Sequence, residues 1–440
     1  LEMLENCGLN ISNFYSFPRH YSSIYTQLKS YENNDITKDC EFLINKFLAD
    51  IETVLNKSIA SIGFSSKYKD YYIKDFGSRY YPESIGYINF YGNKKNIFYN
   101  INVQSNKNGD ANYDESFISF YTDNNKIITF GKQSRFWSPS WDTSLILSHS
   151  SRPVSSISLK NNIPQKVDLP LIRYLGQLEY EYFIAKLEKN RAVKNPYLGG
   201  MRGSFYFSDS FQFSLFRTFI FGGEGRDISF DTLINLLIGR DNVNSNGIDK
   251  ENEPGNQLAG ADLKYIFGNK EFFLQIVGED EAGYLPSRTI NTLGFSLNNI
   301  LKTNSKLIFE STDTFSSSGI KNYTYSHYLY KSGYRHKGMP IGASIDADSK
   351  RYSISYLWNI SNNEFFKLKI SNSEINLNGN SANAISKNFL KLNGIQLKYE
   401  KEYGKKYFLG LSLVLEQNNF DKNDIIYPMI SFRRFLNNGD

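Results

Sequence analysis

Tyr407-Phe-Leu-Gly-Leu-Ser-Leu-Val-Leu-Glu416 alternates without a break: Tyr407, Leu409, Leu411, Leu413 and Leu415 fall on one side of an extended chain, and Phe408, Gly410, Ser412, Val414 and Glu416 on the other. A two-residue period belongs to a strand, because successive side chains of a strand point to opposite faces. The same pattern extends upstream. Ile395, Leu397 and Tyr399 alternate with Gln396, Lys398 and Glu400, and Phe366, Leu368 and Ile370 with Lys367 and Lys369. One face is apolar and the other ionic. A water-soluble sandwich alternates in the same way, so the period alone leaves open whether the apolar face meets lipid or a core.

Composition moves the balance toward lipid. Aromatic residues make up 16% of the 440, with 32 Tyr and 34 Phe, yet hydrophobic residues reach only 40% and mean hydropathy is −0.45. Large apolar side chains on a polar chain are what a membrane barrel needs, with lipid-facing and lumen-facing residues in alternation. Aromatics also gather near strand ends, as at Tyr352, Tyr356 and Trp358 or at Phe205, Tyr206, Phe207, Phe211 and Phe213, which suits girdles at two interfaces. From about residue 60 onward the two-residue period persists between short Asn/Lys/Gly/Asp turns. Roughly 380 residues at about 21 per strand and turn give about 18 strands. The expected fold is an all-β transmembrane, antiparallel outer-membrane barrel. No run of about 18 apolar residues occurs, so no membrane-crossing helix is expected, which leaves strands to do the crossing.

The first segment reads differently. Tyr21, Ile24, Tyr25, Leu28 and Tyr31 keep helical spacing, and so do Leu43, Phe47, Ile51, Val54 and Leu55 behind a capping Thr37. Two amphipathic helices over residues 1–60 then precede a barrel over 61–440. They form either a hairpin packed on the body of the protein or a periplasmic plug. The chain opens Leu1-Glu2-Met3, without a basic start and an apolar stretch, so a signal peptide is expected to be absent from it. Cys7 and Cys40 have neither zinc nor redox spacing, and are read either as a disulfide or as two free thiols.

Two stretches break the strand pattern and are expected to be long loops that cap or constrict the barrel. One carries Phe230, Leu233, Ile234 and Leu237 at helical spacing behind Ser229, then the polar run Asp241 to Pro254. The other, Ser332 to Lys350, holds Gly333, Gly338, Pro340 and Gly342. The net charge of +5, from 50 basic and 45 acidic residues without a Lys/Arg run, gives no support to nucleic-acid binding. An acidic polymer suits the excess if the basic residues face inward.

The segment Gly131-Lys-Gln-Ser-Arg-Phe-Trp-Ser-Pro-Ser-Trp-Asp-Thr-Ser-Leu-Ile-Leu-Ser-His-Ser-Ser-Arg-Pro153 resembles the signature of the Wzi family of capsule assembly proteins. Three further stretches resemble that family's later motifs in order: Glu253 to Leu263, Gly278 to Ser287, and His327 to Gly342 with Tyr330, Gly333, Tyr334, Arg335 and Gly338. The resemblance implies a closed barrel with an N-terminal helical bundle near the periplasmic mouth, and a lectin-like role in attaching capsular polysaccharide to the bacterial surface. This chain departs from the pattern at Phe136, where a second Trp is common, and at Ser138 and Ser140, where Gly is expected at one or both places. It also ends Phe435-Leu-Asn-Asn-Gly-Asp440, whereas outer-membrane barrels usually finish on an aromatic residue.

Within the first motif, Trp137 and Trp141 beside Arg135 and Arg152 have two readings. They are a surface that stacks on pyranose rings and forks onto carboxylates, or they fold a sharp turn between Pro139 and Pro153 and fill the lumen. Tyr334 and Arg335 of the fourth motif join them as candidate polysaccharide-binding residues. Glu279, Asp280 and Glu281 form a compact acidic cluster that a glycosidase pair or a calcium site would need. On a strand, Glu279 and Glu281 share a side, where inward Lys and Arg are their expected partners. His20, His149, His327 and His336 lack zinc spacing and a nucleophile motif. The expectation is a monomeric outer-membrane binding protein for acidic capsular polysaccharide, without catalytic residues, metal or cofactor. A porin is the alternative, and a polysaccharide-modifying enzyme a more distant one.

Overall fold

The computed structural model describes residues 16–17, 20–31, 38–67, 71–72, 74–76, 85–106, 109–170, 172–226, 228, 255–282, 285–300, 303–361, 363–404, 406–420 and 425–436. Cys7, Thr37, the side chain of Cys40, the stretch 229–254 and the last four residues lie outside them, and with them the readings that rest on them. Two helices lead: α1, Tyr21–Lys29, and α2, Lys38–Asn56. Eighteen barrel strands follow. They are β1 Ile59–Lys67, β2 Ile85–Lys94, β3 Ile97–Asn106, β4 Phe117–Thr122, β5 Lys126–Lys132, β6 Ser155–Asn161, β7 Gln177–Lys186, β8 Tyr197–Ser208 and β9 Phe211–Phe221. The second half holds β10 Gly255–Phe267, β11 Lys270–Ala282, β12 Leu285–Asn298, β13 Ser305–Asp313, β14 Lys350–Ser361, β15 Glu364–Ile375, β16 Leu390–Tyr403, β17 Tyr407–Asn418 and β18 Ile425–Phe435.

Each strand pairs antiparallel with its sequence neighbours, and β1 pairs with both β2 and β18, which closes the ring. Closure leaves no unpaired edge, the condition for strands to stand in hydrocarbon. The alternation resolves accordingly. On β17, Leu411 points outward and is exposed, while Val414 and Glu416 are buried on the inner side. Ile370 and Ile395 lie on the outer wall with Tyr352 and Ile354, and Lys369 and Gln396 turn in. An apolar outer face around a charged interior inverts the polarity of a soluble protein, and a bilayer is the solvent that suits it. Tyr206 is an exception among the girdle aromatics, because its hydroxyl donates inward to Glu179 Oε2 at 2.9 Å. The last strand finishes on an aromatic after all, Phe435, which packs against Val54, Ile59 and Phe98.

The two ends of the barrel differ. At one, β2–β3, β4–β5, β8–β9, β10–β11, β14–β15 and β16–β17 are joined by short turns. α1 and α2 pack there around Ile24, Leu28, Ile44, Leu48 and Ile51. Ser22 Oγ donates to Asn162 Oδ1 at 2.8 Å, His20 meets the edge of Tyr121 at 6.0 Å, and Lys46 Nζ donates to Asn363 Oδ1 at 3.0 Å on the far side of the ring. The helix pair therefore reaches across the mouth. From the other end, the long β5–β6 and β13–β14 loops fold back into the lumen, where Leu145, Ile146, Tyr325, Ile341, Ala343 and Ile345 form part of one buried core.

Candidate functional site

The Trp-rich loop after β5 is held by inward side chains of strands far away in sequence. Gln275 on β11 brackets it: its Nε2 donates to the Trp137 carbonyl at 2.6 Å and its Oε1 accepts from Leu145 N–H at 2.8 Å. Glu310 Oε1 on β13 accepts from Ser140 Oγ and Trp141 N–H, both at 2.7 Å. Asp142 is clamped by Lys369 and by Arg351, whose Nη1 also donates to the Lys74 carbonyl and to Ser344 Oγ, each at 3.0 Å. Ser138 and Ser140 are put to use here. Ser138 Oγ accepts from Ser140 N–H and Ser140 Oγ from Asp142 N–H, both at 3.1 Å, so hydroxyls replace conformational freedom as the means of turning the chain.

The β13–β14 loop lies against this one. Ser148 N–H donates to the Ile341 carbonyl at 2.8 Å, Ser344 N–H to Thr143 Oγ1 at 2.8 Å, and Tyr325 hydroxyl to the Leu145 carbonyl at 2.6 Å. A Cβ on Gly342 would come within 2.6 Å of that hydroxyl and 2.7 Å of that carbonyl, so glycine permits the close approach.

The six candidate residues take distinct places. Arg135 Nε donates to Glu181 Oε1 at 2.7 Å and Nη1 to Ser156 Oγ at 3.1 Å, with the guanidinium 4.2 Å above the Phe183 ring. Trp137, wholly buried, donates Nε1 to the other oxygen of Glu181 at 3.1 Å. One carboxylate thus joins two motif residues. Trp141 is half-buried and faces the opposite end, packed on the helix pair with Lys306 Nζ 5.4 Å from its ring. Tyr334 hydroxyl donates to Thr218 Oγ1 at 2.8 Å, and Arg335 forks onto Asp346 with two contacts of 2.9 Å. Arg152 donates Nε to Asp114 Oδ2 at 2.7 Å, and its side chain keeps 28% of its surface. Arg135 and Arg152 line one depression, while Trp141 lies away from it.

Among the described residues Glu279 forms no ion pair with a Lys or Arg, the partners expected of an inward carboxylate. It accepts the backbone N–H of Tyr325, a main-chain donor that the β13–β14 loop carries into the lumen. The side chains of Asp280 and Glu281 lie outside the described residues. Among the described residues, no three His, Cys, Asp or Glu side chains converge as metal ligands.

Several residues in this region escaped sequence reasoning. Glu181 and Asp114 are ordinary polar positions in the sequence, and only the fold brings them to Arg135 and Arg152. Lys337 went unnamed too, although Gly338 beside it marked a turn. With Gly338 it makes the two-residue turn of a small hairpin that pairs Arg335–His336 with Met339–Pro340, both turn residues at positive φ of 50° and 77°. His336 Nδ1 lies 2.6 Å from Glu188 Oε2, and Lys337 N–H donates to Glu188 Oε1 at 3.1 Å. Burial works against the charged form of Glu188, but the His336 hydrogen bond and the fields of His336 and Arg191 hold its pKa down to about 2. Partial burial and the neighbouring charges of Arg152 and Lys132 pull Lys337 below the ordinary lysine range.

The model of the family of capsule assembly protein Wzi matches residues 57–424, from just before the first barrel strand to just before the last. The chain belongs to the Wzi family. A Klebsiella pneumoniae relative, an uncharacterized 55.8 kDa protein of the cps region, is 27% identical over 308 residues, 68% of this chain. The chain spans 60% of the length of that relative. Escherichia coli Wzi, described as an outer membrane protein involved in group 1 capsule assembly and a carbohydrate binding β-barrel, superposes with a TM-score of 0.84. The match covers 98% of this chain and 97% of that one at 20% identity, and it establishes the shared barrel of the Wzi fold. The helices α1 and α2 precede the stretch matched by the Wzi family model.

Proposed function

We propose that this Wzi-family barrel is an outer-membrane lectin that anchors acidic capsular polysaccharide at the cell surface, without turnover and without a cofactor. The match to the capsule assembly family over residues 57–424 carries the reading. The barrel stands as a monomer in outer-membrane lipid, the long-loop end outside and the helix pair a periplasmic plug over residues 1–60. Of the candidate residues, Arg152 touches the polymer at the rim. Arg135 braces the loop and lines the depression beside Arg152; Trp137, Tyr334 and Arg335 fix the loops behind it, and Trp141 ties the Trp-rich loop to the plug. Two buried loops and a network of inward ion pairs occupy the lumen, which sets this reading against a porin.

Deleting the gene is expected to leave polymer synthesis intact while polysaccharide moves from the cell-bound to the shed fraction, measured as uronic acid in each. Normal cell-bound capsule in the deletion strain refutes the proposal. Purified protein incubated with purified capsule is expected to leave the polymer's length unchanged, and shorter chains would restore the enzyme.

A further inference from the structure

A small depression beside Arg152, where the β5–β6 loop rises to the long-loop end, is lined also by Gln133, Ser134, Arg135, Leu147 and Ile341. Two atoms of these buried side chains, Arg135 Nη2 and Gln133 Oε1, lack a hydrogen-bond partner among the described residues. Arg135 has spent its other nitrogens, Nε on Glu181 and Nη1 on Ser156. An orphaned buried donor and acceptor are costly unless something fills the place.

The rim adds charge of one sign. Lys132 and Arg152 share Asp114, at 3.6 and 2.7 Å, and keep 29% and 28% of their side-chain surface, while Asp114 keeps 1%. Lys337, exposed at its hairpin tip, is close enough for its charge to feel both. Apart from Asp114, the carboxylates nearby have other partners as well. Glu181 holds Arg135 and Trp137, Glu115 holds Ser134 Oγ, and Glu188 holds His336 and the Lys337 N–H. The three cations keep solvent-exposed surface, while the Asp114 carboxylate is buried.

We infer that this depression is a subsite for the carboxylate of an acidic sugar unit. Lys132, Arg152 and Lys337 gather the charge at the rim, Arg135 Nη2 supplies a directed donor, and Gln133 Oε1 accepts from a neighbouring sugar hydroxyl. Leu147 and Ile341, both buried, form the apolar floor of the depression. The inference rests on the lectin reading and adds the class of sugar and the residues that read it.

The test is calorimetric titration of the purified full chain in detergent with hexagalacturonate, maltohexaose and inorganic phosphate. Hexagalacturonate is expected to bind at least about tenfold tighter than maltohexaose, with affinity falling as salt rises. Lys132→Ala combined with Lys337→Ala, both at the surface, is expected to cost about tenfold toward hexagalacturonate, and Arg152→Gln a similar factor, with the folded band on unheated gels unchanged. Equal hexagalacturonate binding by wild type and the double variant overturns the subsite, as does displacement by equimolar phosphate, which would mark a lipid-phosphate site. The capsule of the producing strain separates the two readings. If the double variant and Arg152→Gln bind it as wild type does, the subsite falls and the lectin stands. If wild type does not bind it, both fall.

Discussion

Glu181 shows how a buried charge in this protein is made tolerable. Its two oxygens are taken by Arg135 Nε and Trp137 Nε1, so one strand residue fixes both ends of the turn at the start of the Trp-rich loop. Replacing it with Gln removes the counter-charge and leaves the Arg135 guanidinium buried beside a neutral amide. Breaking a buried pair in this way costs about 3–5 kcal/mol. Glu181→Gln is therefore expected to lower the thermal transition of the purified barrel, read from the heat-induced mobility shift on gels. A transition unchanged from wild type would mean that the pair contributes little. The double exchange Glu181→Leu with Arg135→Met removes both charges together and is expected to recover much of the loss.

At the scale of elements, α1 docks through His20, which precedes its first turn and is buried against Tyr121. Burial, with a smaller push from Lys160, lowers the His20 pKa to about 3. A free histidine takes a proton near 6.5, whereas the docked ring stays neutral to about pH 3, so between these values the undocked state binds more protons. Docking is thus at full strength above about pH 6.5 and weakens progressively as pH falls toward 3. Limited proteolysis of the segment before β1 is expected to accelerate between pH 7 and pH 4, with an acid-stable protease, and His20→Gln is expected to flatten that dependence. Equal cleavage at both pH values would remove His20 as the sensor. Both helices were legible, because apolar residues three and four apart can be read without knowing what they pack on. What they pack on was not legible, since Asn162, Asn363 and the β4 residue Tyr121 come to them from positions that share nothing in the sequence.

The whole barrel was the easiest part to read. Alternation survives across β15, β16 and β17 because one face meets an apolar solvent and the other an ionic interior, so each residue type reports its side. The loops inside it carry no period, and their partners Gln275, Glu310, Lys369 and Arg351 look like any inward polar residue until the lumen is filled. For the same reason Arg135 and Arg152 could be nominated from their motif, while Lys132, Asp114 and Lys337, which the fold brings beside them, went unnamed.

A lumen filled in this way should not pass ions. In planar bilayers the protein is expected to show no steady conductance, and a variant lacking residues 138–150, whose loop lies in the core, is expected to open a channel. A large steady conductance of wild type would favour transport instead. The most direct measurement of the central claim is equilibrium binding of the purified, detergent-solubilised protein to the capsular polysaccharide of its own strain. Saturable binding that weakens with salt and leaves the polymer intact is the predicted result, and absence of binding at any polymer concentration would contradict it.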